Sequence, residues 1–230
     1  MSDIAENIRS VRERIGEAAM RADRDPSGVK LMAVTKTVDD DRIMESIELG
    51  IDIIGENYVQ EARRKIEKMG RSIPWHLIGH LQTNKAKYAV KLFDMVHSVD
   101  RIALAREIDR RAGLIGAKMA ILVEVNVSGE ESKSGVDASS ALELVREISQ
   151  LRNISIKGLM TMAPWFDDPQ QARPYFRKLR ELRDRIGDAN IAGVEMKELS
   201  MGMSGDYETA VEEGATIVRI GTRIFGARKY

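Results

Sequence analysis

The strongest constraint on the fold of this chain is a strict alternation of apolar runs with amphipathic stretches, repeated eight times. The runs cover residues 29–36, 51–55, 74–80, part of 92–99, 119–127, 154–161, 195–200 and 216–221, the seventh being the weakest. Between them lie stripes at spacings of three and four, such as Leu142, Val145, Ile148 and Leu151, or Phe176, Leu179, Leu182 and Ile186. One further stripe, Ile4, Ile8, Val11, Ile15 and Ala18, precedes the first run. Nearly continuous apolar runs suit strands buried on both faces, and alternation with helices makes their sheet parallel. Eight such units in 230 residues predict an α/β fold: a closed (β/α)8 TIM-type barrel with an extra N-terminal helix, a single domain over residues 1–230. The alternative, an open doubly wound sheet, would bring Gly-x-Gly-x-x-Gly after the first strand, and that pattern does not occur there.

The totals narrow the function. Thirty-six basic residues balance 36 acidic ones, without the cationic excess expected of a protein that binds nucleic acid or anionic membrane. Absence of cysteine removes disulfides, thiolate metal sites and thiol catalysis. The N-terminus lacks the apolar core of a signal peptide, and no run is long enough to span a bilayer. A cytoplasmic protein with small molecules or other proteins as partners is expected. Locally, Asp3 with Glu6, Asn57, Thr83, Asp100 and Ser204 stand where helix caps belong. Pro174 predicts that its helix begins late or kinks.

In a barrel the carboxyl ends of the strands form one face, where ligands gather. Those ends carry Lys36, Asn57, His80, Ser98, Asn126, Thr161, Ser200 and Arg219. Lys36 is either a cation snorkelling out of the sheet or a reactive amine. Ser98 and Thr161, taken singly, read as ordinary loop polarity. After the seventh and eighth strands, Ser200-Met201-Gly202-Met203-Ser204-Gly205 and Arg219-Ile220-Gly221-Thr222 supply hydroxyls, glycines and a guanidinium. Barrels of this kind recurrently bind phosphate there. A phosphate seat facing a lysine suits pyridoxal 5′-phosphate, with Lys36 forming a Schiff base. A metal site is not expected, because His76 and His80 on one strand would lie about 13 Å apart. A Schiff-base aldolase would more often use a later strand and acid–base partners not identifiable here.

The segments Val34-Thr35-Lys36, Gly55-Glu56-Asn57, His76 through Lys85, Lys133-Ser134-Gly135, Leu199 through Ser204 and Arg219 through Thr222 together carry a resemblance. The chain resembles, over nearly its whole length, the pyridoxal-phosphate homeostasis proteins, single-domain relatives of the N-terminal barrel of alanine racemase. The resemblance implies a barrel that binds the cofactor through Lys36, its phosphate in the loops of Ser200, Ser204, Gly221 and Thr222. It places Arg219 at the pyridine nitrogen, and Asn57 and His80 beside the ring. Ser200 and Ser204 both remain candidates for the phosphate hydroxyl. A carrier without catalytic residues is implied, one that buffers the cofactor, with apo-forms of pyridoxal-phosphate enzymes as candidate recipients.

A guanidinium only donates, so a pyridine nitrogen facing Arg219 stays unprotonated and the ring is a weak electron sink. The alternative is an amino-acid racemase, which needs a second acid–base group besides Lys36. In the resembling racemases a tyrosine of a second domain supplies it. This chain stops at Tyr230, soon after the eighth unit, and nothing in the sequence aims Tyr58 or Tyr207 at the mouth. Without that domain a monomer is expected. Lys133 could be a secondary or transfer site, although a solvated loop lysine is the better expectation.

Overall fold

The apolar runs become parallel strands in the computed structural model, which describes residues 3–130 and 133–227. The strands are β1 (Lys30–Val34), β2 (Ile53–Glu56), β3 (Trp75–Leu77), β4 (Met95–Val99), β5 (Met119–Asn126), β6 (Val136–Asp137), β7 (Ile154–Met160), β8 (Val194–Met203) and β9 (Ile217–Ile220). All but β6 close into a ring of order β1-β2-β3-β4-β5-β7-β8-β9. β1 pairs with both β2 and β9, and β4 pairs with β5, so no long edge is left. The two-residue β6, an element with no sequence signal of its own, pairs with the end of β5 directly after the polar loop of residues 128–135. Glu131 and Ser132 of that loop, and Tyr230, lie outside the described residues.

The helices are α1 (Asp3–Arg21), α2 (Asp40–Glu48), α3 (Val59–Met69), α4 (Ala86–Leu92), α5 (Ile102–Gly113), α6 (Ala141–Ser149), α7 (Arg173–Asp188), α8 (Tyr207–Glu212) and α9 (Thr222–Phe225). Their apolar stripes are buried against the outward side chains of the strands, Leu31 and Ala33 of β1 among them. The extra helix α1 buries Ile4, Ile8, Val11 and Ile15. Among the described residues, no helix is long and apolar enough to cross a membrane.

Several expected caps move. Tyr58, not Asn57, precedes α3, and Arg101, not Asp100, precedes α5. Thr83 begins a short 3-10 turn before α4, Asp206 rather than Ser204 precedes α8, and Asp3 already lies within α1. Asn57 lines the cavity instead, and its backbone packs against Gly79, where a Cβ would lie 2.3 Å from the Asn57 carbonyl oxygen. The late start after the sixth run holds: a 3-10 turn from Pro169 precedes α7, which places Pro174 in its first turn.

The largest correction concerns β8. Its strand continues to Met203, through residues expected to form the loop. The register against β9 shifts between Ser200 and Met203, and Gly202 in between has φ +88°. A Cβ on Gly202 would lie 2.5 Å from the Ala210 Cβ and 3.0 Å from the Tyr207 Cα, so glycine lets the strand end pass under α8. Gly202→Ala is expected to destabilise the protein by about 2–4 kcal/mol, from backbone strain plus overpacking, as read by urea denaturation. A loss below about 0.5 kcal/mol would mean that the strand end yields freely.

Candidate functional site

Side chains two apart on a strand share a face, and this alternation stacks the barrel interior in layers. Met32, Ile53 and Ile217 form a small apolar plug, with Ile78 packed against it. Two residues further along the same strands come Val34, Gly55 and Arg219, and two further again Lys36, Asn57 and Gly221. Gly55 is glycine because a Cβ would lie 2.5 Å from the Met32 sulfur.

Above the plug runs a buried polar chain. Arg219 is 4% exposed, and burial lowers its pKa to about 10, so it stays protonated near neutrality. Its Nη1 donates to the Ser200 carbonyl at 2.7 Å and the Ser200 Oγ at 2.8 Å, and its Nη2 donates to the Thr161 carbonyl at 2.8 Å. Ser200 Oγ lies 3.0 Å from His97 Nδ1, and His97 Nε2 lies 2.9 Å from His76 Nδ1. The guanidinium can only donate, so the Ser200 hydroxyl oxygen accepts from it and is bonded to His97 as well. His97 thus links the Ser200 hydroxyl to His76 through its two ring nitrogens. Burial lowers the pKa of both histidines, that of His76 to about 4, so the pair is neutral near pH 7.

Over this floor opens a cavity of about 730 Å³, lined by Lys36, Asn57, His80, Arg219, Gly221 and Thr222 among others. Ser204 also lines it; its Oγ accepts from the Gly221 N–H at 3.2 Å, which leaves its hydroxyl hydrogen to turn toward a ligand. Two of the five N–H groups of Arg219 have no acceptor among the described residues, and this residue too faces the cavity. Seven of the eight candidate residues therefore meet in one space. Ser200 does not: it is fully buried in the floor, with its hydroxyl engaged by Arg219 and His97.

The other strand-end residues serve the scaffold. Ser98 donates to the Gly79 carbonyl, Thr161 to the Val125 carbonyl, and Asn126 holds the polar loop through Glu130 and Gly129. Lys133 is exposed, while its neighbour Ser134 reaches the cavity. Neither tyrosine lines the cavity: Tyr207 is 1% exposed within the core and Tyr58 is 63% exposed. The outer wall is apolar instead, with Met162 and Trp165 at 41% and 76% exposure.

Two residues were missed. His97 directly precedes Ser98 on β4, and strand alternation turns the two side chains to opposite faces, His97 to Ser200 and Ser98 to the Gly79 carbonyl. Glu124, 3% exposed, lines the cavity from β5, four strands from β1 in either direction and so across the barrel from Lys36. Counting back by two from Asn126 would have found it. Glu124 has no hydrogen-bonding partner among the described residues, and burial, then the charge of Asp100, push its pKa up to about 7 against the opposing pull of Arg219.

Comparison with known proteins places this architecture. The family model for the alanine racemase N-terminal domain matches residues 1–229. A pyridoxal phosphate homeostasis protein of Aquifex aeolicus is 47% identical over 227 residues, spanning 98% of both chains. The chain belongs to the pyridoxal phosphate homeostasis protein family. A solved protein of this same barrel architecture from Bifidobacterium adolescentis, described as unknown, superposes with a TM-score of 0.93 at 41% identity, over 97% of this chain and 94% of the other. PipY of Synechococcus elongatus, solved with PLP bound, gives 0.84 at 35% identity over 97% and 100% of the two chains.

The raised Glu124 pKa has a testable sign. Between its ordinary value of 4.5 and about 7 the folded protein keeps a proton that the unfolded chain releases. Its contribution to stability is therefore complete at the acid end and is lost as pH rises through that window. The buried histidines act in the opposite sense over an overlapping range, so the variant must be compared with the parent at each pH. Relative to the parent, Glu124→Gln is expected to be more stable at pH 8 than at pH 5, by on the order of 2–3 kcal/mol in urea titrations. An equal difference at both pH values would mean an ordinary carboxylate.

Proposed function

We propose that the protein binds pyridoxal 5′-phosphate in this cavity, joined through its aldehyde to the Lys36 amine, and holds it in reserve. The observation that carries this reading is the meeting of Lys36, Arg219 and the Ser204, Gly221 and Thr222 group in one cavity of about 730 Å³. The donor set fits the cofactor. Ser204 offers a hydroxyl hydrogen, Gly221 a bare backbone and Thr222 a second hydroxyl for the phosphate. Ser204 is preferred to Ser200 here because Ser204 lines the cavity, while Ser200 is fully buried in the floor between Arg219 and His97. Arg219 presents spare N–H groups to the ring nitrogen, and Asn57 and His80 flank the ring. When bound, the cofactor supplies an aldehyde that captures amines.

The reserve function rests on what the residues can do with protons. Arg219 donates to the ring nitrogen without protonating it, which leaves carbanion chemistry weakly supported. Tyr58 and Tyr207 do not reach the cavity. In this reading a cytoplasmic monomer suffices, and apo-forms of pyridoxal-phosphate enzymes are the recipients. One observation favours an amino-acid racemase instead: Glu124, whose pKa lies near neutrality, faces the cavity across from Lys36. It could serve as the second acid–base group.

The purified protein loaded with the cofactor is expected to be yellow. Borohydride is expected to fix the cofactor to the Lys36 peptide, and Lys36→Ala to abolish the attachment. A protein left unmodified by borohydride in excess cofactor would overturn the reading. Incubation with L-alanine in deuterated water separates carrier from enzyme. No D-alanine at enzymatic rates is expected; steady formation, lost in Glu124→Gln, would establish the racemase.

A further inference from the structure

Directly outside the cavity, on the far side of the Lys36 backbone, lies a buried charge cluster. The side chain of Lys65, on α3, is wholly buried. Its Nζ donates to the Thr35 carbonyl at 2.6 Å, to Glu56 Oε1 at 2.6 Å and to Glu61 Oε1 at 2.7 Å. Glu56 Oε1 also accepts the Thr35 hydroxyl at 2.5 Å, and Glu61 Oε1 accepts the Thr37 N–H at 2.8 Å. The residues on both sides of Lys36 are thus tied to one ammonium: Thr35 directly, Thr37 through Glu61.

Thr37 needs holding. Its φ of +62° is a left-handed conformation that a β-branched residue rarely adopts. The Val38 N–H donates to the Thr35 carbonyl at 3.0 Å, which closes the turn, and the Thr37 hydroxyl donates to the Lys36 carbonyl at 2.6 Å. Stability alone is a poor account of the cluster, since buried ion pairs are often replaced by apolar side chains without loss. Here the charges grip the backbone around the one lysine that lines the cavity among the described residues.

We propose that Lys65 and Glu61 are positioning residues for Lys36: by fixing Thr35 and Thr37 they hold the left-handed turn that carries its amine into the cavity. The inference rests on Lys36 being the residue that joins the cofactor. Neither residue lines the cavity, so each acts through Lys36.

Glu61→Ala is the primary test, because Glu61 is at the edge of the cluster and its removal spares the Lys65–Glu56 pair. Pyridoxal-phosphate affinity would be titrated by absorbance in four proteins: the parent, Glu61→Ala, Lys36→Ala and the double variant. Loss of one hydrogen-bonded tether predicts roughly five-fold or more weaker binding in the parent background. In the Lys36→Ala background the effect should shrink to less than about two-fold, as expected of coupled residues. Glu61→Gln, which keeps an oxygen for the Thr37 N–H, should recover most of the affinity. Unchanged affinity in Glu61→Ala, or equal weakening in both backgrounds, would overturn the proposal. If the parent binds no cofactor, or Lys36→Ala binds as tightly, the functional reading fails instead. The positioning claim then stands or falls on competitive acetic-anhydride labelling mapped by mass spectrometry. A change of roughly two-fold or more in Lys36 labelling relative to Lys133 on Glu61→Ala supports it, that factor being the least a displaced tether should give; an unchanged ratio sinks it.

Discussion

A guanidinium buried inside a barrel can donate hydrogen bonds and never accept them, and the interior of this protein is arranged around that one-sidedness. Each hydrogen-bond partner of Arg219 among the described residues offers it an oxygen: the Ser200 carbonyl and hydroxyl and the Thr161 carbonyl. The polar chain continues from that hydroxyl: Ser200 is bonded to His97, and His97 to His76. A hydrogen bond between two ring nitrogens needs one of them unprotonated, and burial keeps both histidines neutral. The same constraint reaches upward into the cavity, where any ring nitrogen that meets Arg219 must bring a lone pair.

Lys36 is constrained from two sides by different chemistry. Inside the barrel, the polar floor and the Gly221 turn shape the space its amine enters. Outside, the Lys65 cluster fixes the backbone from which it departs. Both devices bury charge, which is tolerated only where hydrogen bonds answer it. Glu56 Oε2, in that outer cluster, is a buried oxygen with no hydrogen-bond partner among the described residues. Burial accordingly raises the Glu56 pKa, against the pull of Lys65. The Glu124 carboxyl likewise has no hydrogen-bond partner among the described residues, but it faces the cavity rather than the core.

Strand positions and ligand-bearing ends were legible because burial on both faces imposes a continuous apolar run, and because a strand end is marked by the first polar residue after it. Lys36, Asn57 and His80 are legible as strand ends, while Gly221 and Thr222 come from the glycine and hydroxyl of the loop after the eighth run. Ser200 shows where the strand-end rule stops. The seventh run reads as a strand ending at Ser200, yet β8 continues to Met203 through a register shift at Gly202. A serine expected at the mouth therefore lies in the floor, and the hydroxyl that lines the cavity is that of Ser204. Caps shifted for a related reason: Asn57 has the right chemistry to start a helix, but the inward phase of β2 and the close approach of Gly79 use it elsewhere.

The sequence by itself determined the eight parallel units, the face on which they present their ligands, and the chemical types at the strand ends. Those depend on periodicity and residue chemistry, which are local. Tertiary structure alone decided which side chains share a space. His97 meets His76 from the neighbouring strand and Ser200 from across the barrel, Glu124 faces Lys36 from the opposite wall, and Lys65 grips the backbone around Lys36 from a following helix. Such pairings depend on barrel closure, strand register and bulges. A one-residue change in any of these turns a side chain from the cavity to the core.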